Sequence, residues 1–504
     1  MGSKLSGFVL LFLTGFSYGQ NSSTLITEVR IIDGTGIPAY VGSVRVKGNQ
    51  IVAVGNLQAL PGEQVIKGQN KFLCPGFIDA HSHHFSSLRN FPQAAATNNQ
   101  GITTIVIGQD GGSYPVDSLR IWMGQRKAAV NVATYTGHTS LREQVMGEDQ
   151  LLRAATSAEI SSMQKILAEE IKKGSLGLST GLEYEPAFYS SKEEVMLLAK
   201  TAAAQKGRYI SHIRSEDVTL QDAVDEIIRI GRETGMPVQI SHLKIALRSQ
   251  WNTSAALLQQ LQQARVEGVN ITADVYPYTF WNSTLKVLFP SRKYTSLPDA
   301  TLAVTQLCDP SGSVMVHFAP VPAYEGKTLS QIAHIRKESP AQTLIQLITM
   351  ADSFRKANPE FSGSVETIMG KAMTENDVRN FIAWPLSVIC SDGGNGGHPR
   401  GYGTFTRVLF EYVKKQPLMS AETAVYKMTG LTAQHLGLQK RGVIAPGYIA
   451  DLVLMDIDKV KDHATIENGK ALSEGIEQVW IGGQVTWKQQ KPTGNLPGVF
   501  IAKD

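Results

Sequence analysis

Cysteine is scarce in this sequence: the 504 residues contain only Cys74, Cys308 and Cys390. A set this small and odd in number indicates no disulfide framework, so stability has to come from packing. Cys74 and Cys390 each stand shortly before a cluster of polar residues. We expect both to be buried, small apolar residues rather than metal ligands.

The sequence also lacks a hydrophobic run of the ~20 residues that cross a bilayer. An apolar stretch at residues 8–16 follows Lys4 and precedes Ser17-Tyr18-Gly19. A positive charge, a short apolar region and small residues in this order predict a signal peptide over residues 1–19. We therefore expect export to the periplasm or the extracellular space, with no stable membrane insertion after the signal is removed.

Charge of one sign is not in large excess, since the formal net charge is +4. No block of Lys or Arg interleaved with aromatic residues occurs, so nothing indicates a nucleic-acid partner. A small polar molecule is the expected partner, and the oligomeric state stays open.

The length allows a barrel of ~250 residues and at least one further domain. Short alternating segments near both ends predict a small β-sandwich domain, built from residues 20–73 and 436–504. Residues 74–435 are expected to form the barrel. The stretch at about 281–380 is expected to be an inserted subdomain beside the site, because an unstructured loop of that length is unusual.

Strand-like and helix-like segments alternate in the middle of the chain, which is the pattern of repeated βα units. The prediction is an α/β protein with a TIM-like (β/α)8 barrel. The predicted strands are residues 76–80, 103–107, 131–136, 174–179, 209–213, 238–240, 270–275 and 386–389. Helices with apolar residues at three- and four-residue steps are predicted at 157–172, 191–205, 220–234 and 253–267.

Polar residues follow several of these strands. His81 and His83 come directly after the first strand with their side chains on one side, a spacing that can chelate a metal ion. His212, His242 and Asp392 each follow a later strand. Active sites of this fold lie at the carboxyl ends of the strands. Satisfied core histidines explain one or two such positions, whereas the whole set predicts a metal site.

Motifs at both ends of the predicted barrel resemble a known superfamily. PGFIDAHSH at 75–83 resembles the amidohydrolase signature, and GVIAPGYIADLV at 442–453 resembles the C-terminal tail. The inner motifs GHTSLR (137–142), GLSTGL (177–182), SHIR (211–214), DVYPY (274–278) and HPR (398–400) are similar to the D-aminoacylase branch. The resemblance covers nearly the whole mature chain. It implies metal-dependent hydrolysis of the amide bond of N-acyl-amino acids, with the D configuration implied by resemblance alone.

The resemblance also implies roles for individual residues. His81, His83 and Asp392 would hold one metal ion, and His212 and His242 another, with one or two Zn²⁺ ions expected. Asp392 would be the general base and acid, because a carboxylate can take a proton from metal-activated water and return it to the leaving amine. No serine or cysteine nucleophile is needed.

The sequence departs from the family at Asp110, where D-aminoacylases commonly have a cysteine. Asp110 can bind a metal through oxygen, which would make Mn²⁺ or Fe²⁺ more competitive with Zn²⁺. Alternatively, its side chain caps the next turn. Other amidohydrolases use a carboxylated lysine from the fourth strand. That strand contains no lysine here, since Lys172 and Lys173 belong to the preceding helix.

Glu183, just beyond the fourth strand, could approach the metal, with a solvated loop or a substrate contact as the alternatives. A guanidinium can hold the free carboxylate of an N-acyl amino acid with two parallel hydrogen bonds. Arg400 matches the family arginine for this task, and Lys244, Tyr276 and Tyr278 would complete the grip.

The loop at 393–398 is shorter than in typical D-aminoacylases, so an Arg400 at the surface is the alternative. Other activities on dipeptides, cyclic amides or lactones stay open, as does a binding protein that has kept the barrel and lost catalysis.

Overall fold

The structure, a computed structural model, describes residues 23–394 and 396–503. The predicted signal peptide at 1–19 lies outside the described residues. In chain order the strands are β1 (Thr24–Ile31), β2 (Tyr40–Lys47), β3 (Gln50–Gly55), β4 (Gln64–Lys67), β5 (Phe72–Pro75), β6 (Phe77–Asp79), β7 (Ile102–Ile107), β8 (Asn131–Thr134), β9 (Thr136–Gly137), β10 (Gly177–Gly181), β11 (Arg208–His212), β12 (Val238–Ile240), β13 (Ile271–Val275), β14 (Phe280–Ser283), β15 (Val314–Phe318), β16 (Glu366–Lys371), β17 (Ser387–Ile389), β18 (Leu452–Met455), β19 (Ile476–Ile481), β20 (Gln484–Lys488) and β21 (Lys491–Pro492).

The α-helices lie between these strands. In chain order they are α1 (Phe85–Leu88), α2 (Ala95–Asn98), α3 (Val116–Arg126), α4 (His138–Met146), α5 (Ser157–Lys172), α6 (Glu185–Phe188), α7 (Lys192–Ala204), α8 (Leu220–Thr234), α9 (Ser254–Val266), α10 (Leu297–Leu302), α11 (Leu329–Arg336), α12 (Pro340–Ala357), α13 (Glu375–Ala383), α14 (Arg400–Arg407), α15 (Ala421–Met428) and α16 (Gly430–Leu436). In the described part of the chain, no helix is both long and apolar enough to cross a membrane.

Strands from both ends of the chain form one hydrogen-bonded sheet of nine strands. β5 is the junction, because it pairs in parallel with β1 and antiparallel with β18, where Leu73 lies opposite Leu454. Val29 and Ile31 pack in one apolar core with Leu452. The strands expected to build a β-sandwich therefore share one continuous sheet.

The middle of the chain forms two sheets of parallel strands, in the orders β6–β7–β8 and β9–β10–β11–β12–β13–β17. Only Tyr135 separates β8 from β9, and at this gap the N–H of Leu176, just before β10, donates to Thr134 O of β8 at 2.8 Å. At the opposite edge, the N–H of Asp392 donates to His81 O at 2.8 Å, just beyond β17 and β6. The two sheets are thus hydrogen-bonded to each other on both sides.

Each predicted strand of the middle region is found, with small shifts at the ends. The largest is in β10, which begins at Gly177 rather than at residue 174. The reason is that Gly174 and Ser175 still donate to carbonyls of the last turn of α5. The predictions of α5 and α8 are confirmed with the bounds given, and those of α7 and α9 to within one residue at each end.

Helix α5 shows why the periodicity was informative. The Thr156 side chain accepts the backbone N–H of Glu159, and the Glu159 carboxylate accepts the backbone N–H of Thr156. This pair of bonds is a capping box. The buried residues Ile160, Met163 and Leu167 recur at three- and four-residue steps and face the core.

The three cysteines are buried and unpaired. Burial raises the pKa of the Cys308 thiol to about 12. Cys74 and Cys390 each pack within an apolar core, so their interpretation as buried apolar residues is confirmed.

The segment between β13 and β17 builds a three-stranded sheet in the order β14–β16–β15. Helices α10, α11 and α12 accompany this sheet. The segment has its own apolar core, which includes Leu288, Leu307 and Phe318. We call this segment the insertion.

Candidate active site

Six side chains meet at the carboxyl ends of five strands: His81 and His83 after β6, Asp110 after β7, His212 at the end of β11, His242 after β12 and Asp392 after β17. Their candidate ligand atoms form two groups that share Asp110, and within each group the atoms lie within 4.8 Å of one another. The structure therefore brings together every residue that the sequence nominated as a metal ligand.

The first group joins His81, His83, Asp110 and Asp392. His81 Nε2 and His83 Nε2 are 3.3 Å apart, and His83 Nε2 is 3.2 Å from Asp392 Oδ1. Asp110 Oδ2 lies 3.4 Å from the first of these nitrogens and 3.3 Å from the second. Two imidazole nitrogens at this distance share at most one proton, so the arrangement is that of ligands facing a common cation.

The second group joins Asp110, His212 and His242. His212 Nδ1 lies 3.1 Å from His242 Nε2. Asp110 Oδ1 lies 3.6 Å from the same His242 nitrogen and is buried without a hydrogen-bond partner. An orphaned buried carboxylate oxygen is costly unless a ligand completes it.

The backbone at this site is strained. Asp110, His242 and Asp392 have φ values of +58°, +35° and +45°. Left-handed conformations at residues other than glycine cost energy and cluster at functional sites. The loop of Asp110 also packs tightly, since a Cβ on Gly181 would lie 2.2 Å from Asp110 O.

Carboxylates lie behind three of the imidazoles. Glu183 Oε2 is 2.8 Å from His212 Nε2, and Glu216 Oε1 is 2.9 Å from His242 Nδ1. Asp274 Oδ1 is 3.8 Å from His81 Nδ1 and accepts the His242 N–H at 2.7 Å. Partners such as Glu183 and Glu216 fix the tautomer and the direction of a metal-binding imidazole, whereas Asp274 bonds the backbone of His242 and leaves His81 Nδ1 without a hydrogen-bond partner.

Sequence reasoning missed two of these carboxylates, Glu216 and Asp274. The available signals were the spacing of Glu216 four residues after His212 and the position of Asp274 near the end of a barrel strand. Glu183 is only 5% exposed, so its interpretation as a solvated loop residue is wrong. It is buried because its carboxylate is bonded to His212.

The charge of the cluster favours a cation. Desolvation opposes protonation of His83, whose side chain is 44% exposed, but Asp110 and Asp392 outweigh it and raise the pKa of that imidazole to about 10. Burial and Lys244 oppose protonation of His242, but Glu216 and Asp392 raise its pKa to about 10 as well. Negative charge that recruits protons to imidazoles would equally be neutralised by a divalent metal ion, so these residues fit a metal centre.

Two cationic side chains face the same cavity as Asp392 and His242, namely Arg400 and Lys244. Arg400 is the first residue of α14 and is 5% exposed, so its interpretation as a surface arginine is wrong. Its Nη1 lies 2.7 Å from Asp392 Oδ2. Lys244 Nζ lies 2.6 Å from Glu216 Oε1. The short loop before α14 therefore does not prevent Arg400 from reaching the site.

Of the two tyrosines in the DVYPY motif, only Tyr276 lines the cavity. The hydroxyl of Tyr276 is buried without a hydrogen-bond partner. Tyr278 does not line the cavity: its ring packs 5.0 Å from the Arg407 guanidinium, and its hydroxyl points toward Gly403. Alternate residues point to the same side only within a strand. Strand β13 ends at Val275, and the Tyr278 N–H donates to Tyr276 O in the turn that follows. The two tyrosine side chains therefore point in different directions.

Comparisons with known proteins agree with this geometry. The model of the amidohydrolase family matches residues 64–487. A D-aminoacylase of Alcaligenes xylosoxydans xylosoxydans is 30% identical, with 97% of this chain and 99% of the relative covered. An N-acyl-D-aspartate deacylase of the same organism is 32% identical, with 95% of this chain and 94% of the relative covered.

A solved structure extends the comparison. The N-acyl-D-glutamate deacylase of Bordetella bronchiseptica, complexed with zinc and a phosphonate inhibitor that mimics the tetrahedral intermediate, has a TM-score of 0.84 and 30% identity, and 96% of this chain and 100% of that chain are covered. The fold is accordingly a TIM barrel with an additional domain. The chain belongs to the amidohydrolase family, in the branch that contains the D-aminoacylases.

Proposed function

We propose that the protein is a metal-dependent deacylase that hydrolyses the amide bond of N-acyl-D-amino acids. One observation carries the proposal: the carboxylate of Asp392, which faces the metal-binding histidines, and the cations Lys244 and Arg400 line a single cavity. A substrate of this class needs both features, because it presents an amide to be cleaved and a free carboxylate a few bonds away.

The metal centre would consist of two overlapping ligand sets: His81, His83, Asp110 and Asp392 in one, and Asp110, His212 and His242 in the other. When bound, a divalent cation supplies Lewis-acid polarisation of the amide carbonyl and lowers the pKa of water to about 7. Zn²⁺ is the proposed ion, because a relative is solved in complex with zinc. The hard carboxylate of Asp110 makes Mn²⁺ or Fe²⁺ more competitive.

Asp392 would move the proton. Burial raises its pKa, but the Arg400 guanidinium and the imidazoles of His242 and His81 outweigh burial and hold the pKa well below the usual range. The carboxylate is therefore ionised and can accept a proton at an Oδ atom. It can then deliver that proton to the amine that leaves.

Arg400, Lys244 and Tyr276 would hold the substrate carboxylate. Arg400 lies with its guanidinium carbon 4.8 Å from the centre of the Tyr276 ring, which fixes the plane of the guanidinium. Burial raises the pKa of Tyr276 to about 12, so its hydroxyl keeps a proton to donate. A planar guanidinium beside an ammonium and a hydroxyl matches a carboxylate in geometry and charge.

We further propose that the two parallel sheets form one closed (β/α)8 barrel and that the nine-stranded sheet folds over its core as a β-sandwich. The bonds of Leu176 and Asp392 across the two gaps support the closure. We also propose that residues 1–19 direct export. Cleavage after Gly19, read by N-terminal sequencing of the mature protein, would test that part.

The decisive experiment combines metal analysis with a substrate panel. The purified mature protein should contain one or two divalent ions, and it should release amino acid from N-acetyl-D-amino acids faster than from N-acetyl-L-amino acids or dipeptides. Asp392→Asn, which preserves shape and removes the base, should lower kcat by at least about 100-fold, the usual contribution of a positioned base. Full activity after removal of all metal, or hydrolysis of dipeptides alone, would overturn the proposal.

A further inference from the structure

The lining of the active-site cavity includes five apolar side chains, which we call the apolar wall: Ala246, Trp281, Val287, Leu288 and Leu307. The polar Asn282 and Ser283 also line the cavity. Three residues of the wall, Trp281, Leu288 and Leu307, belong to the buried core of the insertion, and Val287 packs against that core. Most of the wall is thus a packed surface of the insertion.

Permanent positive charge is scarce on this cavity. Of the described residues that line it, only Lys244 and Arg400 carry such a charge. Each already faces a carboxylate of the protein, at 2.6 Å for Lys244 and 2.7 Å for Arg400. The remaining charged side chains of the lining include Glu183 and Asp217, which are negative when ionised. A second carboxylate on the substrate would therefore find no further cation on the lining, only apolar surface, the neutral side chains of Asn282 and Ser283, and like charge.

The nearest cations of the insertion are occupied elsewhere. Lys286 and Arg292 line a neighbouring cavity rather than this one. Lys286 Nζ lies 3.0 Å from Asp352 Oδ1. The Arg292 guanidinium donates to the carbonyl of Glu183 and lies 4.3 Å from the centre of the Phe188 ring. Neither side chain is available to compensate an acidic group at the apolar wall.

We propose that the enzyme selects N-acyl-D-amino acids with apolar side chains over those with acidic side chains, and that the apolar wall determines this specificity. The inference rests on the proposed function. With the α-carboxylate at Arg400 and the amide at Asp392, the substrate side chain faces the wall. The acyl group would then occupy the adjoining opening, which is lined by His83, Ser86 and Gly394 and shares Asp392 and Arg400 with this cavity. Relatives with 30% identity or more include deacylases of acidic D-amino acids, so family membership leaves this preference open.

The first test uses the metal-loaded wild-type protein. We expect kcat/KM for N-acetyl-D-leucine and N-acetyl-D-phenylalanine to exceed that for N-acetyl-D-glutamate and N-acetyl-D-aspartate by about 100-fold, because an unpaired charge in an apolar site is strongly rejected. Equal or faster cleavage of the acidic substrates would overturn the inference and leave the proposed function intact. Failure to cleave any N-acetyl-D-amino acid would overturn the proposed function and, with it, the inference.

A matched pair of variants tests the wall itself. Val287 is partly exposed and lies on a short helical turn between the two cavities, so a longer side chain can be accommodated there. Val287→Arg should raise the ratio of kcat/KM for N-acetyl-D-glutamate to that for N-acetyl-D-leucine by about 10-fold or more, whereas Val287→Leu, which adds bulk without charge, should not raise this ratio. An unchanged ratio in a metal-loaded Val287→Arg protein would contradict the wall as the determinant. The wild-type panel decides the preference even if that variant does not fold.

Discussion

Asp110 Oδ1 lies 3.6 Å from His242 Nε2. The other oxygen of the same carboxylate lies 3.3 Å from His83 Nε2, in the first histidine group. Asp110 is thus the one residue that the two candidate ligand sets share among the described residues. A carboxylate can bridge two ions through separate oxygens, and this arrangement makes Asp110 the proposed link between the two metal positions.

Asp110→Ala should therefore reduce bound metal at both positions. We expect the metal content of the purified variant to fall to one equivalent or less and kcat to fall with it. Asp110→Cys should restore zinc binding and lower the affinity for manganese, because a thiolate is a softer ligand than a carboxylate. The measurement is elemental analysis after dialysis against each metal. If Asp110→Ala keeps its full metal content and activity, Asp110 only caps its turn.

Arg400 lies beside the Asp392 carboxylate. We propose that it also binds the carboxylate of the substrate. Arg400→Ala should raise KM for N-acetyl-D-amino acids by about 100-fold or more, as expected when a charged hydrogen-bonded partner is removed. For the corresponding amides, which have no carboxylate, the rise in KM should be far smaller. Steady-state kinetics on both substrate types measures the difference.

Arg400→Lys is the matched control, since it keeps the charge and loses the planar pair of donors. It should give an intermediate KM for the acids. Because Arg400 also lies 2.7 Å from Asp392, both variants should lower kcat for acids and amides alike. Equal effects of Arg400→Ala on the KM of acids and amides would remove the assignment of Arg400 to the substrate carboxylate.

Glu216 connects the metal-facing and substrate-facing sides of the site, because one oxygen of its carboxylate faces both His242 and Lys244. Glu216→Gln keeps an acceptor for the His242 imidazole but removes the negative charge that holds the Lys244 ammonium. We expect metal affinity to fall by about 10- to 100-fold, as for other partners of metal-binding histidines. KM should rise more for acids than for amides. The exposed Glu193→Gln is the control, and a metal affinity equal to that of the control would show that Glu216 only fills space.

The barrel and five of the six candidate ligands could be predicted because both leave local signals, whereas Asp110 was nominated only through the resemblance to the D-aminoacylases. A buried parallel strand is a short apolar run, and the residue that follows it lies at the carboxyl end of the barrel. His212 and His242 could therefore be assigned to one site although α8 separates them. The ends of the strands were less certain, as β10 shows, because the last turn of α5 continues into the residues before it.

The carboxylates behind the histidines could not be predicted with equal ease. Asp274 on β13 accepts the backbone N–H of His242 and lies 3.8 Å from His81 Nδ1, and no spacing along the chain indicates this placement. The separation of Tyr276 from Tyr278 depends on where a strand ends, to within one residue. For Glu183 the sequence left an approach to the metal, a solvated loop and a substrate contact open, and only the structure shows that it is buried beside His212. Each of these misses concerns a contact between distant segments.

Lys427 is a buried cation outside the active site. It lies on α15, is 2% exposed, and its Nζ donates to Ser387 O at 3.1 Å and to the carbonyl of Trp384. Burial lowers the pKa of its ammonium to about 7. In the unfolded chain a lysine has a pKa of about 10.4. The unfolded state therefore binds one proton more than the folded state between these two values.

Stability should consequently rise with pH in that window. Below pH 7 both states carry the proton and Lys427 contributes no pH dependence, whereas between about pH 7 and 10 its contribution to the free energy of unfolding should increase by up to about 1.4 kcal/mol per pH unit. Lys427→Met lacks this proton, so the wild-type protein should gain stability relative to the variant as pH rises. Urea unfolding at pH 7, 8 and 9, with the exposed Lys192→Met as control, measures the gain. Parallel pH profiles for wild type and Lys427→Met would mean that the Lys427 ammonium stays charged in the folded protein, because its three buried acceptors stabilise the charge enough to offset burial.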